Sequence, residues 1–246
     1  MKHIKEYNSF INEEWSKNEP IPEILDKPKG LAIFLIGAPG IGKSYFVNKF
    51  IHTKNSNIKD FSTDDVSLLF TKDPNEYYTG REKPEGGKTS GASQLNLKKM
   101  KMFMTTKNSF IYDTTGAGKE HTDTGFEHIK EMFDLARENQ YEIIFIHLLS
   151  TLQTSIDQDK LRDRHVEPHY IEWAYAKQMG GMVNGEMVEG NMPRFKALGP
   201  DEYYVVMSID RKYSFFKFID GKLARKKGDK YVPMNEDLDI DDLEMI

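Results

Sequence analysis

The residues with the clearest chemical potential form a short glycine-rich run that ends in a lysine and a serine. They are Gly37, Ala38, Pro39, Gly40, Ile41, Gly42, Lys43 and Ser44, followed by Tyr45. Glycine lets backbone amides turn inward towards phosphate oxygens, because no Cβ lies in the way. In such a loop the Lys43 ammonium reaches the β- and γ-phosphates, and the Ser44 hydroxyl ligates Mg²⁺. The run predicts that residues 37–45 bind a nucleoside triphosphate, ATP, together with Mg²⁺.

The segments on both sides of this run agree with that prediction. Residues 31–36 are all apolar and predict a buried parallel strand, and residues 45–51 have the pattern of a helix. A strand, a glycine-rich run and a helix in this order distinguish a phosphate-binding loop from a chance match. The start of the helix adds its positive dipole end and its unpaired amides. An ordinary glycine turn is the alternative, and this context argues against it.

Composition narrows the class of protein. The chain has 246 residues, of which 38% are hydrophobic and 30% are charged, and this length suits one large α/β domain with or without a small appendage. The net charge of −5 argues against a uniformly basic protein that coats nucleic acid. The absence of cysteine excludes disulfides, thiolate metal sites and a cysteine nucleophile. No signal-peptide core and no apolar run of about 18 residues is present, so we expect a cytoplasmic protein without membrane contact.

Predicted strands and helices alternate after the glycine-rich run. Strands are expected at 58–62, 109–113 and 141–149, with helices at 93–107 and 122–139 between them. This alternation predicts an α/β fold with a mainly parallel sheet flanked by helices. Towards the C-terminus, strand patterns around the turn signal Asp220-Gly221 predict a sheet-edge strand and a small antiparallel β appendage.

The pattern divides the chain into four parts. Residues 1–30 predict an amphipathic helix followed by a linker, and residues 31–202 predict the nucleotide-binding core. Residues 203–234 contain the C-terminal strand and β-hairpin appendage, and residues 235–246 form an acidic tail. The N-terminal stripe is expected either to dock on the core or to bind a partner.

Two acids follow the second predicted strand. Carboxyl ends of parallel strands meet on one side of a sheet, so Asp64 and Asp65 are expected near the γ-phosphate. Phosphorylation of an alcohol needs a carboxylate that orients the hydroxyl and accepts its proton. We assign that role to Asp64, with Asp65 as the second choice for the base and otherwise as a substrate contact. The alternative is that they cap the following helix, a position that favours Asp.

Further polar residues follow the third strand and the helix after the fourth. Asp113 and Thr114 are expected either to contact the acceptor and support Mg²⁺, or to cap the turn before Gly116. Arg162 and Arg164 precede a helix start and can form a lid near 157–168, where guanidinium groups neutralise the transferring phosphoryl group. A solvated, charge-alternating helix is the alternative for the arginines.

In this order the segments resemble the kinases grouped around zeta toxins and the 5′-hydroxyl polynucleotide kinase domain of phages. The matching segments are GAPGIGKS, STDDV, FIYDTTG and LRDRHVEPHYIEWAY, within residues 30–180. The resemblance implies a P-loop kinase that uses ATP and Mg²⁺, with Asp64 as general base and with Arg162 and Arg164 on the lid. If the chain is phage-encoded, it implies the host cytoplasm.

Two departures concern the acceptor. Polynucleotide kinases of this type carry an arginine shortly after the acid pair, whereas Ser67, Leu68 and Leu69 follow here. The D-x-D-G-T motif of the bifunctional phage enzyme's phosphatase half is missing as well. Both departures argue against a repair-type polynucleotide acceptor. The predicted activity is phosphorylation of a hydroxyl on a nucleic acid or nucleotide-like acceptor.

Two other functions stay open from the sequence: a nucleotide-regulated binding module and a nucleic-acid-stimulated ATPase. Nucleic acid is a possible partner because two basic stretches could follow a phosphodiester backbone. The first contains Lys98, Lys99, Lys101 and Lys107, and the second contains Arg225, Lys226, Lys227 and Lys230. A solvated surface is the alternative for both, and the oligomeric state does not follow from the pattern.

Overall fold

A computed structural model of the chain describes residues 20–26, 30–62, 91–162, 165–209, 212–227 and 230–234. Several sequence predictions lie outside these residues. They concern the N-terminal helix, Asp64, Asp65, Arg164 and the acidic tail.

The strands begin and end close to the predicted positions. Their bounds are β1 Leu31–Ile36, β2 Lys59–Ser62, β3 Phe110–Thr114, β4 Glu142–Leu149, β5 Gly181–Val183, β6 Glu186–Val188, β7 Glu202–Ile209, β8 Lys212–Ile219, β9 Lys222–Lys227 and β10 Lys230–Pro233. Eight of them form one sheet in the order β10-β9-β8-β7-β4-β1-β3-β2. The five strands from β7 to β2 are parallel, whereas β8, β9 and β10 pair antiparallel. The predicted fold class, a mainly parallel sheet with antiparallel strands at the C-terminus, is confirmed.

The helices lie between the strands. Their bounds are α1 Ile21–Leu25, α2 Lys43–Phe46, α3 Gly91–Met104, α4 Thr124–Glu138, α5 Leu152–Lys160, α6 Pro168–Met179 and α7 Met192–Ala197. Helix α2 continues with wider, π-type turns over Val47–His52. Proline at the first helical position begins α6 as expected, because its fixed φ suits that position.

Helices cover both faces of the sheet at β1. This packing explains why every residue of the strand is apolar. Alternate side chains point to opposite faces, so Phe34 packs towards α4 while Ile33 and Leu35 pack towards α1 and α2. Every residue of β1 is buried. A strand that is covered on both faces must be apolar at every position, as in other buried parallel sheets.

Two features differ from the sequence prediction. Strand β7 is not at an edge, because β4 pairs with one side of it and β8 with the other. The short hairpin β5–β6 was not predicted, although its turn residues Asn184 and Gly185 have φ of 53° and 84°. An Asn-Gly pair tolerates positive φ and is a strong hairpin signal. No helix in the described ranges is long and apolar enough to cross a membrane.

The packing around Phe34 gives a stability prediction. The side chain is 0% exposed, and its ring centroid lies 4.9 Å from that of Phe145 and 5.8 Å from that of Tyr112. Phe34→Ala should lower the free energy of unfolding by about 3–5 kcal/mol, because it removes buried surface and leaves a cavity. Urea denaturation followed by circular dichroism measures this. Met102→Ala, at a position 66% exposed, is the matched control; equal midpoints for the two variants would contradict the packing.

Candidate active site

The glycine-rich loop connects the end of β1 to the start of α2. Gly40 and Gly42 have φ of 75° and 90°, in the left-handed region that favours glycine. A Cβ on Gly40 would lie 2.1 Å from the backbone oxygen of Ser155 on α5. Gly40 therefore satisfies two demands, a left-handed turn and a close approach of the loop to α5.

Lys43 points back into this loop. Its Nζ donates hydrogen bonds to the backbone oxygens of Gly37 and Ala38, at 2.7 and 3.3 Å. The same Nζ lies 3.7 Å from Oδ1 of Asp113. Strands β1 and β3 are parallel neighbours in which Leu35 pairs with Asp113, so the register places the carboxylate beside the loop. A lysine and a carboxylate thus meet where two strands end.

Thr114 holds the connection between the two strand ends. Its backbone oxygen accepts from the Gly37 amide at 3.2 Å, and its hydroxyl oxygen accepts from the Gly116 amide at 3.2 Å. The hydroxyl of Tyr112, two residues earlier, is buried, and burial raises the pKa of Tyr112 to about 12. The floor of the site therefore gains no negative charge from this phenol near neutral pH.

These residues surround one cavity of about 760 Å³. Of the predicted site residues, Pro39 to Tyr45, Asp113, Thr114 and Arg162 line it. Gly37 and Ala38 contact the site through Lys43. Asp64, Asp65 and Arg164 lie outside the described residues. The role assigned to each predicted site residue stays a prediction.

Asp159 anchors the segment that carries Arg162. This carboxylate is 3% exposed and accepts from the Val166 amide at 2.8 Å and from Nη1 of Arg162 at 3.3 Å. The imidazole Nδ1 of His165 lies 2.9 Å from the Asp159 backbone oxygen. A buried carboxylate therefore holds the guanidinium of Arg162 where it lines the cavity.

Helices α6 and α7 hold the loop that follows β3. The Tyr170 hydroxyl donates to the Gly118 backbone oxygen at 3.0 Å. Lys177 and Arg194 each donate to the Asp123 carboxylate at 3.0 Å. Hydrogen bonds from these two cations, Lys177 foremost, lower the pKa of the Asp123 carboxyl. The loop 115–123 is thus held by hydrogen bonds from side chains of α6 and α7.

The cavity is also lined by residues that the sequence prediction missed. They are Lys119, Glu120, His128, Gln158, Glu167, His169 and Tyr170. Lys119 and Glu120 follow the carboxyl end of β3, a position that could have suggested a ligand contact. Gln158 and Tyr170 lie on helices, where no local pattern separates a cavity-lining residue from a solvated one.

Comparison with solved structures places the fold. The AvrRxo1-ORF1:-ORF2 complex in its native form has a TM-score of 0.53 at 15% identity, over 91% of this chain and 70% of that chain. The same complex with ATP has a TM-score of 0.50 at 14% identity, over 90% and 69% of the two chains. A structure of the PezAT toxin–antitoxin system of Streptococcus pneumoniae has a TM-score of 0.48 at 13% identity, over 86% of this chain and 78% of that chain.

Sequence comparison adds nothing to this, since no family model and no curated protein sequence matches the chain. At 15% identity or less, the structural likeness to the AvrRxo1-ORF1:-ORF2 complex shows the fold alone. The sheet order and the loop between β1 and α2 agree with the fold predicted for a P-loop kinase.

The conformation of Gly40 gives a prediction about this loop. Gly40→Ala should weaken binding of MgATP at least about tenfold, because the new Cβ opposes both the left-handed φ and the approach to Ser155. Isothermal titration calorimetry measures the affinity. Gly199→Ala is the matched control, since Gly199 also has positive φ, at 71°, but nothing lies within 4 Å of its added Cβ. Equal losses in both variants would point to general strain and not to the loop.

Proposed function

We propose that this chain is an ATP-dependent kinase that transfers the γ-phosphoryl group to a hydroxyl of a nucleotide-like acceptor or a nucleic-acid end. The observation that carries the proposal is the meeting of the glycine-rich loop, Lys43, Asp113 and Arg162 around one cavity. The P-loop kinase-like fold supports the reaction class. That a structurally similar complex has been crystallised with ATP supports the choice of nucleotide.

The proposed phosphate contacts come from the loop and the lid. Backbone amides at the start of α2 would receive phosphate oxygens, as helix N-termini do in many anion sites. Lys43 would exchange its bonds to Gly37 and Ala38 for phosphate oxygens, so that its charge stays compensated. Arg162, 38% exposed at its side chain, would turn from Asp159 towards the transferring group.

The residues fit a magnesium ion that is held partly by substrate. Mg²⁺ prefers oxygen ligands and commonly uses one or two protein groups together with phosphates and waters. The Ser44 hydroxyl and the Asp113 carboxylate are oxygen donors on the same cavity. Within the described ranges no group of three His, Cys, Asp or Glu side chains could hold a metal alone. When bound, the ion would neutralise charge between the β- and γ-phosphates.

Phosphoryl transfer to an alcohol requires a base that takes up the hydroxyl proton. The oxygen of the alcohol forms a bond to the γ-phosphorus, the bond to ADP breaks, and the proton passes to a carboxylate. Our proposed base is Asp64. Asp113 is less suited to this role, because its Oδ1 already lies 3.7 Å from the ammonium of Lys43.

The basic stretches give little support for a long nucleic-acid track. Lys101 pairs with Glu131 at 2.9 Å, and Lys107 donates to the backbone oxygen of Asn139. Lys226 pairs with Glu23 on α1. Charges that are already paired within the chain add less to binding of a phosphodiester backbone. A small nucleotide-like acceptor, or only the end of a strand, therefore fits the described surface better.

An acceptor panel tests the reaction class. The protein should transfer label from γ-labelled ATP to one of three acceptors: a 5′-hydroxyl oligonucleotide, a nucleotide sugar or a hydroxymethylated DNA base. Lys43→Ala should abolish transfer, because it removes the cation that contacts the phosphates. Hydrolysis of ATP that rises with added DNA, without labelled product, would identify a nucleic-acid-stimulated ATPase and contradict the proposal.

A pair of substitutions separates the base from the metal ligand. Asp64→Asn should lower kcat by about 10²–10⁴-fold and leave MgATP binding nearly unchanged, because only proton transfer is lost. Asp113→Asn should weaken Mg²⁺ binding and therefore raise the Mg²⁺ concentration needed for half-maximal rate. Magnesium titrations of both variants measure this. Full activity of Asp64→Asn would show that the base lies elsewhere.

A further inference from the structure

A chain of buried hydrogen bonds runs from the core of the sheet to the loop after β3. The Tyr203 hydroxyl on β7 lies 3.0 Å from Nδ1 of His147 on β4. Nε2 of His147 lies 2.8 Å from Oε1 of Gln178 on α6. The amide nitrogen of Gln178 donates to the backbone oxygen of Thr115 at 3.1 Å. His147 is 0% exposed, and Gln178 and Tyr203 are 1% and 4% exposed.

The backbone oxygen of Thr115, the last group in this series, fixes which group donates in every one of these hydrogen bonds. The Thr115 carbonyl can only accept, so the side-chain NH₂ of Gln178 must face it. The oxygen of Gln178 then faces His147, whose Nε2 must carry the hydrogen. In a neutral imidazole, Nδ1 is then an acceptor, and the Tyr203 hydroxyl donates to it. A flipped Gln178 would place two acceptor oxygens against each other.

The loop that receives this chain borders the cavity. Thr115, Gly118 and Lys119 line the cavity. The next carbonyl, that of Gly116, accepts from the side chain of Asn191 at 3.1 Å. Buried donors therefore hold two consecutive carbonyls of this loop, and a shift of one donor would move the lining residues.

Helix α6 also connects this loop to the lid. Its first turn contributes His169 and Tyr170 to the cavity, and the segment just before it carries Arg162. Its last turn contributes Gln178. The position of one helix therefore sets both the lid side and the loop side of the cavity.

We propose that His147 is a positioning residue for phosphotransfer: through Gln178 it fixes the loop at Thr115, and with it the side of the cavity that receives the acceptor. The inference rests on the proposed kinase function. His147 does not touch the cavity; it acts through the amide of Gln178, which it holds in one orientation.

The protonation state of His147 agrees with this arrangement. Burial lowers the pKa of His147 to about 4, so the ring is neutral near pH 7. The pKa of an exposed histidine is about 6.5. The native state therefore binds fewer protons than the unfolded chain between these values, and His147 makes folding less favourable as the pH falls from about 6.5 towards 4.

The first test needs no activity. Nitrogen-15 NMR of the imidazoles at pH 7 should show His147 as the Nε2–H tautomer, with Nδ1 unprotonated. His121, whose side chain is 71% exposed, is the internal control for the imidazole signals. An Nδ1–H tautomer at His147 would overturn the inference, because Gln178 would then have to turn its oxygen towards Thr115.

The second test removes the donor to the loop. Gln178→Met keeps a similar volume and should raise hydrogen exchange at the Gly116 and Ala117 amides by about tenfold, the effect expected for one lost buried hydrogen bond. With the acceptor that the wild type phosphorylates, kcat should fall at least about tenfold while KM for MgATP stays within about twofold. Tyr203→Phe should give a smaller change in the same direction.

A control variant separates positioning from loss of stability. Ile51→Val alters a fully buried residue on the opposite face of the sheet and should leave exchange at Gly116 and Ala117 unchanged. Wild-type exchange and wild-type kcat in Gln178→Met would overturn the inference. A wild-type protein that phosphorylates no acceptor would contradict the proposed function, whereas the tautomer and exchange measurements decide the hydrogen-bond chain independently.

Discussion

The close approach of Gly40 to the Ser155 backbone oxygen is the contact on which the site depends. A side chain on Gly40 would lie 2.1 Å from that oxygen. Because the loop after β1 rests directly on α5, and α5 contains Asp159 and precedes Arg162, the loop and the segment that carries Arg162 share one support. A change that moves α5 must therefore move both.

The charges of the site are balanced within a few ångströms. The ammonium of Lys43 is compensated by two loop carbonyls and by Asp113, and the guanidinium of Arg162 is compensated by Asp159. Both cations are thus held by groups that can release them to a more strongly charged partner, since a polyphosphate offers several anionic oxygens. The geometry stabilises the folded chain and also keeps the cations near the cavity.

Local sequence patterns predicted those parts of the fold that depend only on residues close together in the sequence. The glycine-rich loop, β1 and β4 follow from runs of residues that can be recognised one segment at a time. The interior position of β7 and the cavity-lining residues on helices could not be predicted, because they depend on which strand pairs with which and on how α5 and α6 pack. Of the predicted site residues, Lys43, Asp113 and Arg162 meet around the cavity. The roles assigned to the predicted site residues all stay predictions.

Helix α6 shows why a buried polar residue can persist in a sheet built for apolar side chains. His147 stands among apolar neighbours in β4, where an aliphatic residue would avoid the cost of burying two ring nitrogens. Both nitrogens are satisfied, one by Tyr203 and one by Gln178, so the cost is offset only while both partners keep their places. The side-chain amide nitrogen of Gln178 donates to the backbone oxygen of Thr115. The hydrogen bonds that satisfy the buried imidazole therefore also fix the loop that lines the cavity.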